Sequence, residues 1–240
     1  MPLSLRRGTI TAIVESHEAL VRLEVNGIPC IAYPGVTGDV EVGDEVLVNV
    51  QARDLGLGSG GFDILHANLT RGLELAPAPG AHVMTLPYTS LQQAVRHAEE
   101  DALGETLPGT PVVCCSVHSQ VVPVCAALAG VEVAYVQVAG GALPVSLSDA
   151  VRTLRTRGLL DLTIAAAPCI EADVQAVNVY SAFAHAAVTG ADAIVCALGP
   201  GIVGTGTMLG HGGLAAAQAV NAAAALGGRP VLAPRVSSVD

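Results

Sequence analysis

The chain has 240 residues, 51% apolar but only 2% aromatic, and its 21 acidic against 11 basic side chains give a net charge of -10. That length suits one large domain, or a small one joined to a medium one, with a core built from Ala, Val and Leu. Scattered bases and few aromatic rings exclude nucleic acid and anionic membrane as expected partners, because both need a basic footprint and single strands need stacking platforms.

The opening MPLSLRRGTI is not followed by a signal-peptide apolar run, and no run of roughly eighteen apolar residues escapes Gly or Pro, so a soluble cytoplasmic protein is expected. Cys30, Cys114, Cys115, Cys125, Cys169 and Cys196 sit mostly in Val and Ala runs without CxxC spacing. They read as reduced, buried thiols, and no structural metal is expected.

From Gly8 the runs GTITAIVE, ALVRLEVNG, IPCIAYPG and DEVLVNV alternate like short strands, with Gly27, Gly35 and Gly43 as breaks. They predict a small antiparallel β-barrel-like domain over residues 1–72. LELAPAPG, residues 73–80, is the expected linker, and an α/β domain follows over 81–240.

SLQQAVRHAEED has a capping-box pattern, Ser90 with Gln93 three positions on, and predicts the first helix of that domain. Apolar runs VVCCSV, VAYVQV, LTIAA, AIVCAL and PVLAP then alternate with helical patterns starting near Val121, Ser148, Asp173 and Gly213. Gly130, Gly158, Gly190 and Gly227-Gly228 are the expected stops. Strands apolar throughout, each followed by a helix, predict a mostly parallel, doubly wound, Rossmann-like α/β sandwich.

Ligands of such folds bind beyond the carboxyl ends of the strands. Those ends supply His118-Ser119-Gln120, Gly140-Gly141, Pro168 to Glu171 with Asp173, and GPGIVGTGT at 199–207. GPGIVG has the letters G-x-G-x-x-G, but the next helix begins too late and no acidic residue stands where a ribose would be held. The overlapping stretch has P-loop spacing without the lysine. What survives is an anion nest of backbone N–H groups in Gly199, Gly201, Gly204 and Gly206, helped by the hydroxyls of Thr205 and Thr207. The alternative is a long connection whose glycines only turn the chain.

His118 is the candidate proton-transfer group, against a helix-start hydrogen bond. Cys169 is read as a packing residue ahead of a nucleophile. Asp173 is read as the N-cap of VQAVNVYSAFAHAAV, and Asn178 as either a ligand contact or a brace for a loop.

GPGIVGTGT, AGGALPVSLSD, VNVYSA and NAAAALGGRPV, in this order, together resemble the bacterial family known only as domain of unknown function DUF3866. DLGLGSGGFDILHANL and HVMTLPYTSLQ look like the stretches linking that family's two parts. The resemblance implies a small β domain followed by an α/β domain, and supplies no reaction and no cofactor. It also implies Lys and Arg around Thr85-Leu86-Pro87, Asp at Ala139, a His-bearing Gly-rich stretch near Ala166 to Glu171, acidic residues near Ala215 and Gln218, and a tail beyond Asp240.

On that comparison the chain is a divergent member ending early, with neutral residues at several strand-end positions. Two readings stay open. One is an enzyme or former enzyme binding a small anionic or phosphorylated ligand through His118, Ser119, Gln120, Gly140, Gly141, Asn178 and the loop Gly199 to Thr207. The other is a non-catalytic interaction or structural protein, with homo-oligomerisation through Ala-rich helices.

Overall fold

The structure is a computed structural model and describes residues 3–58, 60–71, 73–76, 78–101 and 103–236. The chain divides into two units, residues 1–77 and 78–240. Among the described residues no helix is long and apolar enough to cross a membrane.

The first unit contains β1 (Leu5–His17), β2 (Leu20–Val25), β3 (Ile28–Ala32), the single turn α1 (Pro34–Thr37), β4 (Glu45–Asn49), the turn α2 (Gln51–Asp54) and β5 (Asp63–Asn68). The five strands close a barrel in the order β1-β2-β3-β5-β4. Alternation drives it: Val21, Leu23 and Val25 of β2 and Val46 and Val48 of β4 point inward with Ile10, Cys30 and Leu65. Asn26 and Gly27, both at positive φ, make the two-residue hairpin between β2 and β3.

Two expectations are corrected in this unit. DILHANL is not a linking stretch but β5, the strand that closes the barrel. And the barrel is not wholly antiparallel, because β3 and β5 pair in parallel. This strand order, with its one parallel pair, is the OB-fold arrangement.

The second unit contains the hairpin β6 (Val83–Thr85) and β7 (Gln93–Val95), then β8 (Pro111–Cys115), α3 (Val121–Ala127), β9 (Val133–Val138), α4 (Asp149–Thr156), β10 (Leu162–Ala166), β11 (Val174–Ala176), α5 (Val179–Val188), β12 (Ala193–Leu198), α6 (Ala215–Ala225) and β13 (Arg229–Ala233). Its six-stranded sheet runs β11-β10-β9-β12-β8-β13, every pair parallel. Every residue of β12 and nearly every residue of β9 is buried, as a sheet covered on both faces requires. Phe183, Ala186, Ala219 and Ala223 of α5 and α6 pack one face, while Val121, Cys125, Val151 and Leu154 of α3 and α4 pack the other. The sheet is therefore doubly wound.

The predicted helix over 90–101 is absent: 93–95 pairs with 83–85, and a short 3-10 turn follows at Ala98–Glu100. Its apolar positions have helical spacing, but Leu91 and Ala94 are exposed and only Ala98 reaches the core. Too little apolar area lines one face to outweigh strand pairing. Nor does a helix begin at Asp173. Val174–Ala176 adds an edge strand to β10, and α5 starts after Asn178.

Candidate functional site

The strand order puts β12 between β9 and β8. The chain leaves β9 through α4 and β8 through α3 on one face, and leaves β12 through α6 on the other. The carboxyl end of β12 is thus flanked by two points where the winding reverses, the usual address of a ligand crevice in a doubly wound sheet. Counted within the unit the order is 4-3-2-5-1-6, unlike the 3-2-1-4-5-6 of dinucleotide-binding sheets. GPGIVG follows the fifth of these strands, whereas a dinucleotide fingerprint follows the first.

The ends of β8, β9 and β12 are tied by a polar network. His118 Nδ1 donates to the carbonyl of Leu198 (3.0 Å), and Nε2 lies 2.7 Å from Ser148 Oγ. Because Ser148 Oγ also accepts from Val151 N–H (3.0 Å), capping α4, its hydroxyl proton points to Nε2. The neutral ring is satisfied at both nitrogens. Burial holds the His118 imidazole below its ordinary 6.5, opposed by the Leu198 bond.

Beneath it, Tyr135 packs edge-on against the imidazole with ring centres 6.2 Å apart, and its hydroxyl donates to Gln137 (3.2 Å). Gln137 in turn donates to the carbonyls of Ala142 and Leu143 (3.0 and 2.9 Å), pinning the loop after β9. Neither residue was singled out from the sequence. The available signal was two polar side chains in the apolar run VAYVQV, each needing a buried partner.

Of the other predicted positions, Gln120 accepts from Val117 N–H (3.1 Å) and Ser116 Oγ (3.2 Å) and donates to Ala233 O (2.7 Å), joining the ends of β8 and β13. Ser119 is exposed beside it. Gly140 and Gly141 pack against the far loop: a Cβ on Gly140 would stand 2.6 Å from Gly212 O, and one on Gly141 would run into Gly199 O. Gly199 in turn abuts Ala142 O. Asn178 stands apart as the N-cap of α5, accepting from Tyr180 and Ser181 N–H (2.9 and 3.1 Å).

The loop beyond β12 folds back on itself. Val203 N–H donates to Gly140 O (2.9 Å), Thr205 N–H to Gly210 O (2.6 Å) and Gly212 N–H to Val203 O (2.8 Å). The hydroxyls of Thr205 and Thr207 meet at 2.9 Å. Residues 201–209 are all exposed, and among the described residues the amides of Gly204 and Gly206 donate to nothing. The structure therefore brings His118, Gln120, Gly140, Gly141 and Gly199 together at the base, and leaves Gly201, Gly204, Thr205, Gly206 and Thr207 outside it.

The loop after β10 contributes Glu171. Ile170 is zipped to the β9 loop (Ile170 N–H to Leu143 O 3.1 Å, Val145 N–H to Ile170 O 2.9 Å). The Gln175 amide oxygen accepts from Glu171 N–H and its nitrogen donates to Cys169 O, both at 3.1 Å. This holds Glu171 at φ 61°, a strained conformation for a residue with a side chain. Its carboxyl has no hydrogen bond or ion pair among the described residues, and burial pushes it up to about 7. Cys169, by contrast, is fully buried and pushed up to about 12, which suits packing rather than nucleophilic attack. Asp173 is no helix cap: it accepts from Thr163 N–H and Oγ1 (both 2.8 Å) and pairs with Arg155, fastening the β10–β11 turn.

Two cavities lie elsewhere. One of about 370 Å³ opens at the β4–β5 connection beside Arg53, Leu57, Phe62 and Asp63, and one of about 290 Å³ at the amino ends of β9 and β10 beside Glu132 and Asp161. None of the predicted site residues lines either.

No curated protein matches the chain. The profile of a family described as "Protein of unknown function (DUF3866)" matches residues 29–240, from β3 of the barrel through the whole α/β unit, and the chain belongs to that family.

Proposed function

We propose that the chain binds a small anionic ligand, phosphate-bearing in the simplest case, on the outer side of the loop 199–207. The carrying observation is the pair of unpartnered amides, Gly204 and Gly206, on either side of the Thr205 hydroxyl in a fully exposed segment. Backbone amides left free in an exposed Gly-rich loop are donors of the kind that anion sites use, even though the Thr205 amide between them is spent on Gly210 O. Residues 193–228 also contain no Asp or Glu, so in a chain of charge -10 this is a stretch where an anion meets no adjacent carboxylate. In this reading His118, Gln120, Gly140 and Gly141 carry the loop on a rigid base, and His118 has a positioning role in place of proton transfer.

A thermal-shift series with inorganic phosphate, sugar phosphates and nucleotides tests it. A ligand at a hundred times its dissociation constant stabilises by about 2.7 kcal/mol, a shift of several degrees. The shift should vanish in Gly204→Val/Thr205→Val. A shift that survives the double variant, or none with any of these compounds, would sink the reading.

A second reading has its own observation. The same loop exposes Val203 (67%), Met208 (91%) and Leu209 (83%), side chains that gain nothing from an anion and would be covered by a docked protein surface. It agrees with a non-catalytic interaction protein.

A further inference from the structure

Among the described residues the six-stranded sheet ends on β13, which pairs there with β8 alone. Both faces of a parallel sheet are normally covered, yet Val231 is 46% and Leu232 55% exposed. Neighbours along a strand point to opposite faces, so this edge is open on both sides as well as along its backbone.

The charge distribution says what can cover it. From Ala193 to Gly228, thirty-six residues pass without an Asp, Glu, Lys or Arg, and from there to Val236 the charged residues are Arg229 and Arg235. The outer positions of α6, Ala217, Gln218, Asn221, Ala224 and Ala225, are exposed and neutral. Gly213 abuts Ser116 O, and Gln120 joins Ser116 to Ala233, so the returning loop and the end of β13 flank the end of β8. Loop, α6 and β13 thus bring together at this edge a stretch, residues 193–236, that carries no Asp or Glu.

We infer that this edge is a self-association surface, its occupant a second copy of this chain with the two β13 strands side by side about a two-fold axis. Two molecules of charge -10 repel wherever their acidic surfaces meet, and the loop, α6 and β13 that meet here contribute no carboxylate between residues 193 and 236. A basic partner would be drawn instead to the acidic remainder of the surface. A two-fold contact is self-complementary, so the same exposed Val231 and Leu232 supply both halves of its apolar centre. The inference goes beyond the ligand and docking readings of the loop and depends on neither.

Sedimentation velocity on the full chain, from ~1 μM to ~0.1 mM, decides it, because an interface of micromolar Kd passes from mostly dissociated to mostly formed over that range. Twice the 24.1 kDa chain mass is expected at the upper end. Added salt should strengthen the dimer by screening the mutual repulsion. Leu232→Glu and, on the opposite face, Val231→Glu should each give the monomer mass with an unchanged circular dichroism spectrum, while Val131→Glu, after α3, should leave the dimer intact. A wild-type monomer at ~0.1 mM, a dimer that dissociates as salt rises, or a dimer that survives both β13 variants would each overturn the inference. If one β13 variant fails to fold, the other decides.

Discussion

The inner and outer glycines of the loop region, a few residues apart, do opposite things. Gly140, Gly141, Gly199 and Gly212 stand where a single added carbon would strike backbone. Gly201 and Gly206 face open space. The inner set lets two loops lie backbone to backbone over a polar network with every bond made. The outer set leaves amides free and apolar side chains in water. Glycine therefore serves close packing at the base of this loop and backbone availability at its tip.

The strongest way to break the contrast is Gly199→Ala or Gly141→Ala. The new methyl meets a carbonyl that is itself part of the packed loop, and a loss of about 3 kcal/mol or more in chemical denaturation is expected. A loss under about 1 kcal/mol would mean that the loops separate easily.

Next comes His118→Ala, which strips Leu198 O and Ser148 Oγ of a partner and should cost about 1–3 kcal/mol at pH 8. The pH dependence sharpens it. Since the folded imidazole lies below its ordinary 6.5, its contribution is present above that value and is lost as pH falls through the folded pKa. The variant's deficit should shrink on acidification, and a deficit independent of pH would contradict the neutral, internally bonded ring.

Glu171→Gln should act with the opposite slope and by less. The Glu171 carboxyl is raised from 4.5 to about 7, so the stability of the protonated form is fully present below about 4.5 and lost as pH rises through about 7. At pH 8 the variant should exceed the wild type by about 1–2 kcal/mol, the shift being discounted for partial exposure, and at pH 4 the two should agree. Equal stabilities at both pH values would show that the carboxyl finds solvent.

The smallest expected effect is at the tip. Gly206→Ala meets nothing within 4 Å and needs no positive φ, so stability should hold or rise by up to ~1 kcal/mol through a less flexible unfolded chain. A loss comparable with Gly199→Ala would erase the distinction between base and tip.

Much of the fold could be read from residues because it rests on local pattern. Runs such as AIVCAL are buried strands whatever they pair with, and the four strand runs from Gly8 to Val50 alternate in a way that only a half-buried strand satisfies. Helix stops were legible for the same reason, since Gly130, Gly158, Gly190 and Gly227 all take positive φ. The helix over 90–101 misled because its spacing is local while its burial is not: Val95 is paired with Val83 across a hairpin. DILHANL misled in the same way, as a strand whose two partners, β3 and β4, are called up only by barrel closure.

The site divides along the same line. That a ligand site is to be expected at the strand ends, and that His118, Gln120, Gly140, Gly141 and the loop beyond β12 gather there, follows from a rule about parallel sheets that needs only the order of elements. Which of them are spent on holding the protein together depends on distances across the fold. His118 and Leu198 are eighty residues apart, as are Ser181 and Glu99 to within two, and no sequence window contains both halves of such a bond. By itself the sequence determined a barrel followed by a doubly wound sheet, because apolar period and turn residues act over a few positions. Tertiary structure alone decided that Asn178 caps a helix, that His118 has no nitrogen to spare, that Glu171 is strained and, among the described residues, unpaired, and that Val231 and Leu232 of β13 stay exposed, because partners, desolvation and exposure are properties of what the rest of the chain brings alongside.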